Sequence, residues 1–299
     1  MNFDLLKRLC ECPGIPSREE PIRSLVADEL RGLCDSVSGD AMGNVIGRKK
    51  GGGGPKVMIA AHMDEIGFLV RHIDDDGFMR LQPVGGWDPR TMVAQRVYVH
   101  GHAGRTLLGA LMPGTKPRHL LTEEELNKPP KIEEFFVDAG LPGDEAKALV
   151  EVGDPVTMAR TTERMGNLVV SKTLDDRVAV FIMIEALRSL GAHEAEIFAV
   201  ATTQEEVGLR GATTAAYGIE PNIGIALDVT IANDYPGPAD HDRITGVGKG
   251  AAIKIMDSSL LCHPKLVRHF RDVAETHGIP YQLEILSRGG TDAGGIQRS

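Results

Sequence analysis

Three short apolar runs in this chain each end on an acid or an imidazole, and a fourth opens directly after a pair of acids. Val57 to Ala61 runs into His62-Met63-Asp64, Ile197 to Thr203 into Gln204-Glu205-Glu206, and Ile223 to Leu227 into Asp228. Asp175-Asp176 precedes the long apolar run Val178 to Leu187. Apolar runs of four to six residues that alternate with amphipathic helical stretches predict a largely buried α/β sheet flanked by helices. In open sheets of that kind chemistry gathers at the carboxyl ends of the strands. The pattern therefore places His62, Asp64, Glu205, Glu206 and Asp228 on one rim, with Asp175 and Asp176 at a helix start facing it.

The remaining elements fill in around these runs. Residues 3–12 read as an amphipathic helix, and Ser17-Arg18-Glu19-Glu20 as a capping box for a helix to about Leu33. Val37 to Ile46 and Lys56 to Ala61 read as strands, with Gly51 to Gly54 a flexible hairpin tip between them. That glycine run lacks the Gly-Lys-Ser/Thr ending of a phosphate loop. From Gly67 to Met158 short strands alternate with turns, among them Asp74-Asp75-Asp76-Gly77. After Asn167 strands and helices alternate again. The expected organisation is a split α/β domain, residues 1–66 and 161–299, with a small β-rich domain inserted at 67–160.

Composition excludes several classes. With a net charge of −9 and no run of five like charges, clustered phosphate contacts have no basis, so nucleic acid and anionic membrane are not expected partners. No apolar run approaches the ~20 residues of a membrane helix. The start Met1-Asn2-Phe3-Asp4 has no secretory pattern, and the four cysteines show no paired spacing. A cytoplasmic protein with free thiols is expected.

Each acidic motif has a plain structural reading of its own. Asp175-Asp176 suits a helix N-terminus. Glu205-Glu206 suits a solvated helix start, and His62 a strand end with a surface Asp64. Together they suit something more specific. One imidazole and several carboxylates match zinc, cobalt or manganese rather than a soft thiolate site. Asp64, two residues from His62 on extended backbone, shares its face and can orient the ring. Of two adjacent glutamates, one can bind metal while the other handles a proton.

The segments His62-Met63-Asp64-Glu65-Ile66-Gly67, Leu174-Asp175-Asp176-Arg177, Gln204-Glu205-Glu206-Val207-Gly208, Ala226-Leu227-Asp228 and Gly289-Gly290-Thr291-Asp292-Ala293 resemble, in order, the M42 metallo-aminopeptidases. The resemblance implies a binuclear centre in which Asp175 bridges two divalent ions. His62 and Asp228 hold one ion and Glu206 the other, while Glu205 is the general base and Asp64 orients His62. It implies zinc or cobalt, with manganese a third option, and short peptides as substrates. It also implies a homo-oligomer built from dimers, up to twelve subunits, with residues 67–160 as lid and oligomerisation domain. The family adds a metal-binding histidine after Gly-Gly-Thr-Asp-Ala, whereas here Gly294 to Ser299 follow. The expectation is then two protein ligands, Asp175 and Glu206, at the Glu206 ion, with weaker occupancy and impaired turnover. The competing expectations are an impaired oligomer subunit, or a related two-metal hydrolase of acylated amino acids. A metal-free glycosidase, which needs two carboxylates flanking a sugar bond, leaves the His and Asp sites without purpose.

Overall fold

The computed structural model describes residues 1–116, 118–128 and 130–299. In chain order it begins with helices α1 (Phe3–Glu11) and α2 (Glu20–Arg31) and strands β1 (Ser36–Gly39), β2 (Val45–Lys49) and β3 (Lys56–His62). Next come β4 (Gly67–Ile73), β5 (Met79–Val84), β6 (Gln95–His100), β7 (Thr106–Pro113), α3 (Glu123–Leu126), β8 (Phe135–Asp138), α4 (Gly143–Leu149) and β9 (Pro155–Met158). The last third contains β10 (Glu163–Met165), β11 (Leu168–Val170), α5 (Leu174–Ser189), β12 (Glu196–Thr202), α6 (Arg210–Ile219) and β13 (Ile223–Ala226). It closes with β14 (Ala251–Met256), α7 (Pro264–Thr276), β15 (Tyr281–Ile285) and α8 (Asp292–Gln297).

These elements form two compact units. The first comprises Met1–Val26, Met63–Arg177 and Glu206–Gly208; the second comprises Ala27–His62, Val178–Glu205 and Leu209–Ser299.

In the first unit, β4-β5-β8-β7-β6-β9 close into a barrel. Closure removes the free strand edges that an open sheet of this length would expose. Phe68, Val70, Met79, Val97, Val99, Leu111, Phe135, Val137 and Val156 fill it. Alternate residues point inward, as along β6, where Val97 and Val99 are buried and Arg96 and Tyr98 are exposed. The predicted turn at Asp74–Gly77 joins β4 to β5, and Asp74 Oδ1 accepts from the amides of Asp76 and Phe78 at 3.1 and 2.8 Å. Helix α1 buries Leu5, Leu6, Leu9 and Cys10, with the Asn2 side chain capping the Leu5 amide at 3.2 Å.

In the second unit, a five-stranded mixed sheet has the order β1-β2-β12-β3-β13. β12, β3 and β13 run parallel, and β2 pairs antiparallel with β12. Met58, Ala60, Val200, Ala215, Ala216 and Ile219 form a core between the sheet and α6. Strands β14 and β15 pair in parallel as a separate two-stranded sheet.

Three local expectations are corrected. The run from Val37 to Ile46 is not one strand: Asp40 Oδ1 accepts from the amides of Met42, Gly43 and Asn44, each at 3.0 Å, and folds the chain back between β1 and β2. Gly51 to Gly54 is not a hairpin tip, because β12 lies between β2 and β3. The glycines instead pass tightly over residues 193–195. Gly54 donates to the Glu194 carbonyl at 2.7 Å, and a Cβ on Gly51 would meet the Ala195 carbonyl at 2.2 Å. Finally, Ser17 does not cap α2. It adopts a left-handed conformation (φ 67°), and its hydroxyl accepts from the Arg18 guanidinium at 3.4 Å.

Candidate active site

Sheet register brings the first site residues together. In the parallel pairing of β13 with β3, Ala226 lies opposite Ala60. The Leu227 amide still donates to the Ala60 carbonyl at 2.8 Å, so Asp228, two residues past the end of β13, leaves the sheet beside His62 at the end of β3. The side chains meet there: a ligand atom of His62 and one of Asp228 lie within 4.8 Å of each other. His62 is 2% exposed. On the other flank, β12 pairs Thr202 with His62, so residues just past Thr202 emerge beside the imidazole. Glu205 Oε2 lies 3.8 Å from His62 Nε2.

The loop carrying Glu205 is held by a group that sequence reasoning missed. Asn44, fully buried, accepts from the Thr203 amide at 3.0 Å and donates to the Gly211 carbonyl at 2.9 Å. Gln204 (φ 55°) and Leu209 (φ 58°) flank the glutamates in the left-handed region, which side chains rarely adopt. Such strain persists only where the surroundings fix it, and it concentrates at functional loops. Asp292, from the Gly-Gly-Thr-Asp-Ala segment, is 2% exposed at the start of α8 and accepts a hydrogen bond from the Thr202 hydroxyl.

The first unit carries Asp64, Asp175 and Glu206. Asp64 is fully buried, and its Oδ2 accepts from the Glu206 amide at 3.1 Å. Asp175 and Asp176 are joined by a cis peptide bond and depart from helical geometry, so the regular part of α5 starts after them. Their surroundings differ: Asp175 is exposed, while Asp176 is fully buried. Glu206 is half-buried. Sequence reasoning also missed Glu65, Lys172 and Arg177, whose side chains are 3%, 4% and 0% exposed and form ion pairs. The available signal was their position, immediately beside Asp64 and around Asp175. A cavity of about 780 Å³ lies elsewhere in this unit, lined by Tyr98, His100, Thr157 and Lys172, and none of the six predicted site residues borders it.

The donor set fits a divalent cation. Imidazole nitrogen and carboxylate oxygen are borderline-to-hard ligands, which suit zinc, cobalt and manganese, and the buried imidazole offers a nitrogen toward acids. A mixed α/β sheet whose parallel strands present such ligands at their carboxyl ends is the layout of a metal-dependent hydrolase.

Comparison with known proteins narrows that class. The M42 glutamyl aminopeptidase family matches residues 43–299. A lysyl aminopeptidase of Pyrococcus furiosus is 40% identical over 305 aligned positions, covering 99% of this chain and 85% of the relative. Among solved structures, an aminopeptidase from the archaeon Desulfurococcus kamchatkensis is 42% identical with a TM-score of 0.93, covering 98% of this chain and 82% of that one. The Pyrococcus horikoshii TET1 peptidase, described as assembling into a tetrahedron or a large octahedral shell, is 33% identical with a TM-score of 0.87, covering 99% and 87%. The chain belongs to the M42 glutamyl aminopeptidase family and is a metal-dependent aminopeptidase. Among the described residues, no helix is long and apolar enough to cross a membrane.

Proposed function

We propose that this chain releases N-terminal residues from short, unblocked peptides at a centre for two divalent ions, zinc or cobalt in preference to manganese. His62 and Asp228 would hold one ion with Asp175, and Asp175 with Glu206 would hold the other. The observation that carries the reading is the meeting of His62, at the end of β3, and Asp228, just past the end of β13, with ligand atoms within 4.8 Å and Glu205 3.8 Å from the same imidazole. Bound there, divalent ions supply polarisation of the scissile carbonyl and a lowered pKa for water.

The remaining work falls to the protein. Glu205, held by the loop that Asn44 anchors, takes the proton from the attacking water and returns it to the leaving amine. Asp64 orients His62 and, through the Glu206 amide, the glutamate pair. Residues 1–66 and 161–299 would form the catalytic domain, and residues 67–160 the lid and oligomerisation domain. Assembly from dimers, up to a dodecamer, is supported by the tetrahedral particle of the P. horikoshii relative. Four free cysteines support a cytoplasmic setting, where thiols stay reduced.

The test uses a panel of aminoacyl-p-nitroanilides and tri- to hexapeptides, each with free and acetylated N-termini. Release from free termini alone, abolished by chelation and restored by zinc or cobalt, is the expected result. Absence of release across the panel by metal-loaded protein overturns the reading.

A further inference from the structure

The Glu65 carboxylate sits at the centre of a buried polar cluster that touches every segment around two of the site's acids. Its chain neighbour is Asp64. Its Oε1 accepts from the Gly14 amide at 3.1 Å, and its own amide donates to the Gly14 carbonyl at 2.9 Å. Its Oε2 pairs with the Lys172 ammonium and lies 3.3 Å from the Thr173 hydroxyl, which also donates to the Cys10 carbonyl at 2.8 Å. The Arg177 guanidinium approaches Oε1 at 3.9 Å and donates to the carbonyls of Leu9 and Cys12 at 2.6 and 2.9 Å. Lys172, Thr173 and Arg177 bracket Asp175 in sequence.

We propose that Glu65 is a positioning residue of the metal centre, tying the Asp64 segment to the Asp175 segment and both to the end of α1. The inference rests on the functional reading above and deepens it. Three ionised side chains, none more than 4% exposed, are withdrawn from water here. An apolar cluster of the same size commonly serves stability as well, whereas a paired and hydrogen-bonded ionic cluster fixes one geometry. Geometry is what the Asp175 segment needs. It departs from helical dihedrals at both Asp175 and Asp176, and the helix-type backbone bond across it, from the Arg177 amide to the Thr173 carbonyl at 3.3 Å, joins two residues of this same cluster. Catalytic groups must be held to within about 0.5 Å, and that task falls to the groups behind them. Glu65 touches neither substrate nor ion and acts through Asp64 and Asp175.

The test compares the parent with Thr173→Val, which is nearly isosteric and uncharged, and with Glu65→Gln. Metal-stripped proteins are titrated with cobalt, followed by the visible absorption of the bound ion, and then assayed for kcat and KM. Melting temperatures are recorded alongside. In both variants cobalt affinity and kcat fall, by about tenfold to a hundredfold for Glu65→Gln and less for Thr173→Val, while KM stays within about twofold of the parent. The cobalt spectrum shifts even where the melting temperature is parental, which a purely structural role does not produce. Parental cobalt affinity and spectrum in a folded Glu65→Gln overturn the proposal. Should that variant fail to fold, parental values in Thr173→Val overturn it. A parent that binds cobalt but releases nothing from any peptide sinks the functional reading alone, and the cobalt titrations still decide this one.

Discussion

The Asp64 carboxylate accepts a hydrogen bond from the backbone N–H of Glu206 across 142 residues of sequence, at 3.1 Å. Asp64 is fully buried, so this acceptor has no water to exchange with. One side chain thereby stands two residues from His62 in sequence and fixes the start of the segment after Glu205.

Replacing Asp64 with Asn keeps the shape and removes the charge. Groups of this kind cost about tenfold to a hundredfold when altered, so kcat should fall by that range with KM changed little. Asp64→Ala should in addition lose about 1 kcal/mol of stability, the low end of the cost of removing the acceptor from a half-buried donor. Steady-state kinetics and urea unfolding of the two variants separate the effects. An Asn variant with parental kcat contradicts the assigned role.

Gly211 has a second fixed requirement. A Cβ there would lie 2.4 Å from both Asn44 Oδ1 and the Thr203 carbonyl. Gly211→Ala must push the Thr203–Glu205 segment away from its anchor, because neither neighbour is the loose end of a flexible side chain. A loss of about 1–3 kcal/mol is expected from such overpacking, together with a reduced kcat. The control is Gly218→Ala in the same helix α6, where nothing lies within 4 Å of the added carbon. That variant should be neutral or slightly stabilising through the higher helix propensity of Ala.

Burial holds the Cys10 thiol neutral, pushing its pKa up from 9.0 to about 11 against the opposing pull of Arg177. Between those values the unfolded chain gives up a proton that the folded chain keeps. Stability from this group is therefore complete below pH 9 and is lost as pH rises toward 11, by roughly 2–3 kcal/mol at 1.36 kcal/mol per unit. Urea unfolding at pH 8.5, 10 and 11 should show the decline, and Cys10→Ala should flatten it. Cys12, raised by burial in the same direction, leaves a residual slope.

Much of this architecture is legible along the chain because one physical rule produced both patterns. Strands buried on both faces must be largely apolar, so Val57–Ala61 and Ile197–Thr203 stand out, as does the half-buried edge run Ile223–Leu227, and the first ionisable residues after each run mark the rim. Strand order is not encoded so locally. That β12 enters between β2 and β3 depends on pairing partners some 150 residues apart, and for that reason the tight glycines 51–54 resemble a flexible hairpin tip in sequence. Asn44 was invisible for a similar cause: its role is set by Thr203 and Gly211, which nothing near residue 44 announces. The Asp175–Asp176 pair reads as an ordinary helix cap in sequence, and only its backbone dihedrals reveal that α5 becomes regular after it.

The barrel's first and last strands, β4 and β9, are antiparallel partners, with Phe68 opposite Val156 and Leu69 opposite Pro155. The excursion from Gly67 to Met158 thus begins and ends on one antiparallel strand pair of the barrel wall, which acts as its stalk. Chain length added beyond such a stalk carries an entropic penalty that grows only logarithmically. Lineages are free to enlarge, trim or redecorate the barrel's far loops while the stalk keeps its two ends side by side. Divergence among relatives should accordingly concentrate in that excursion and spare the strands that flank it.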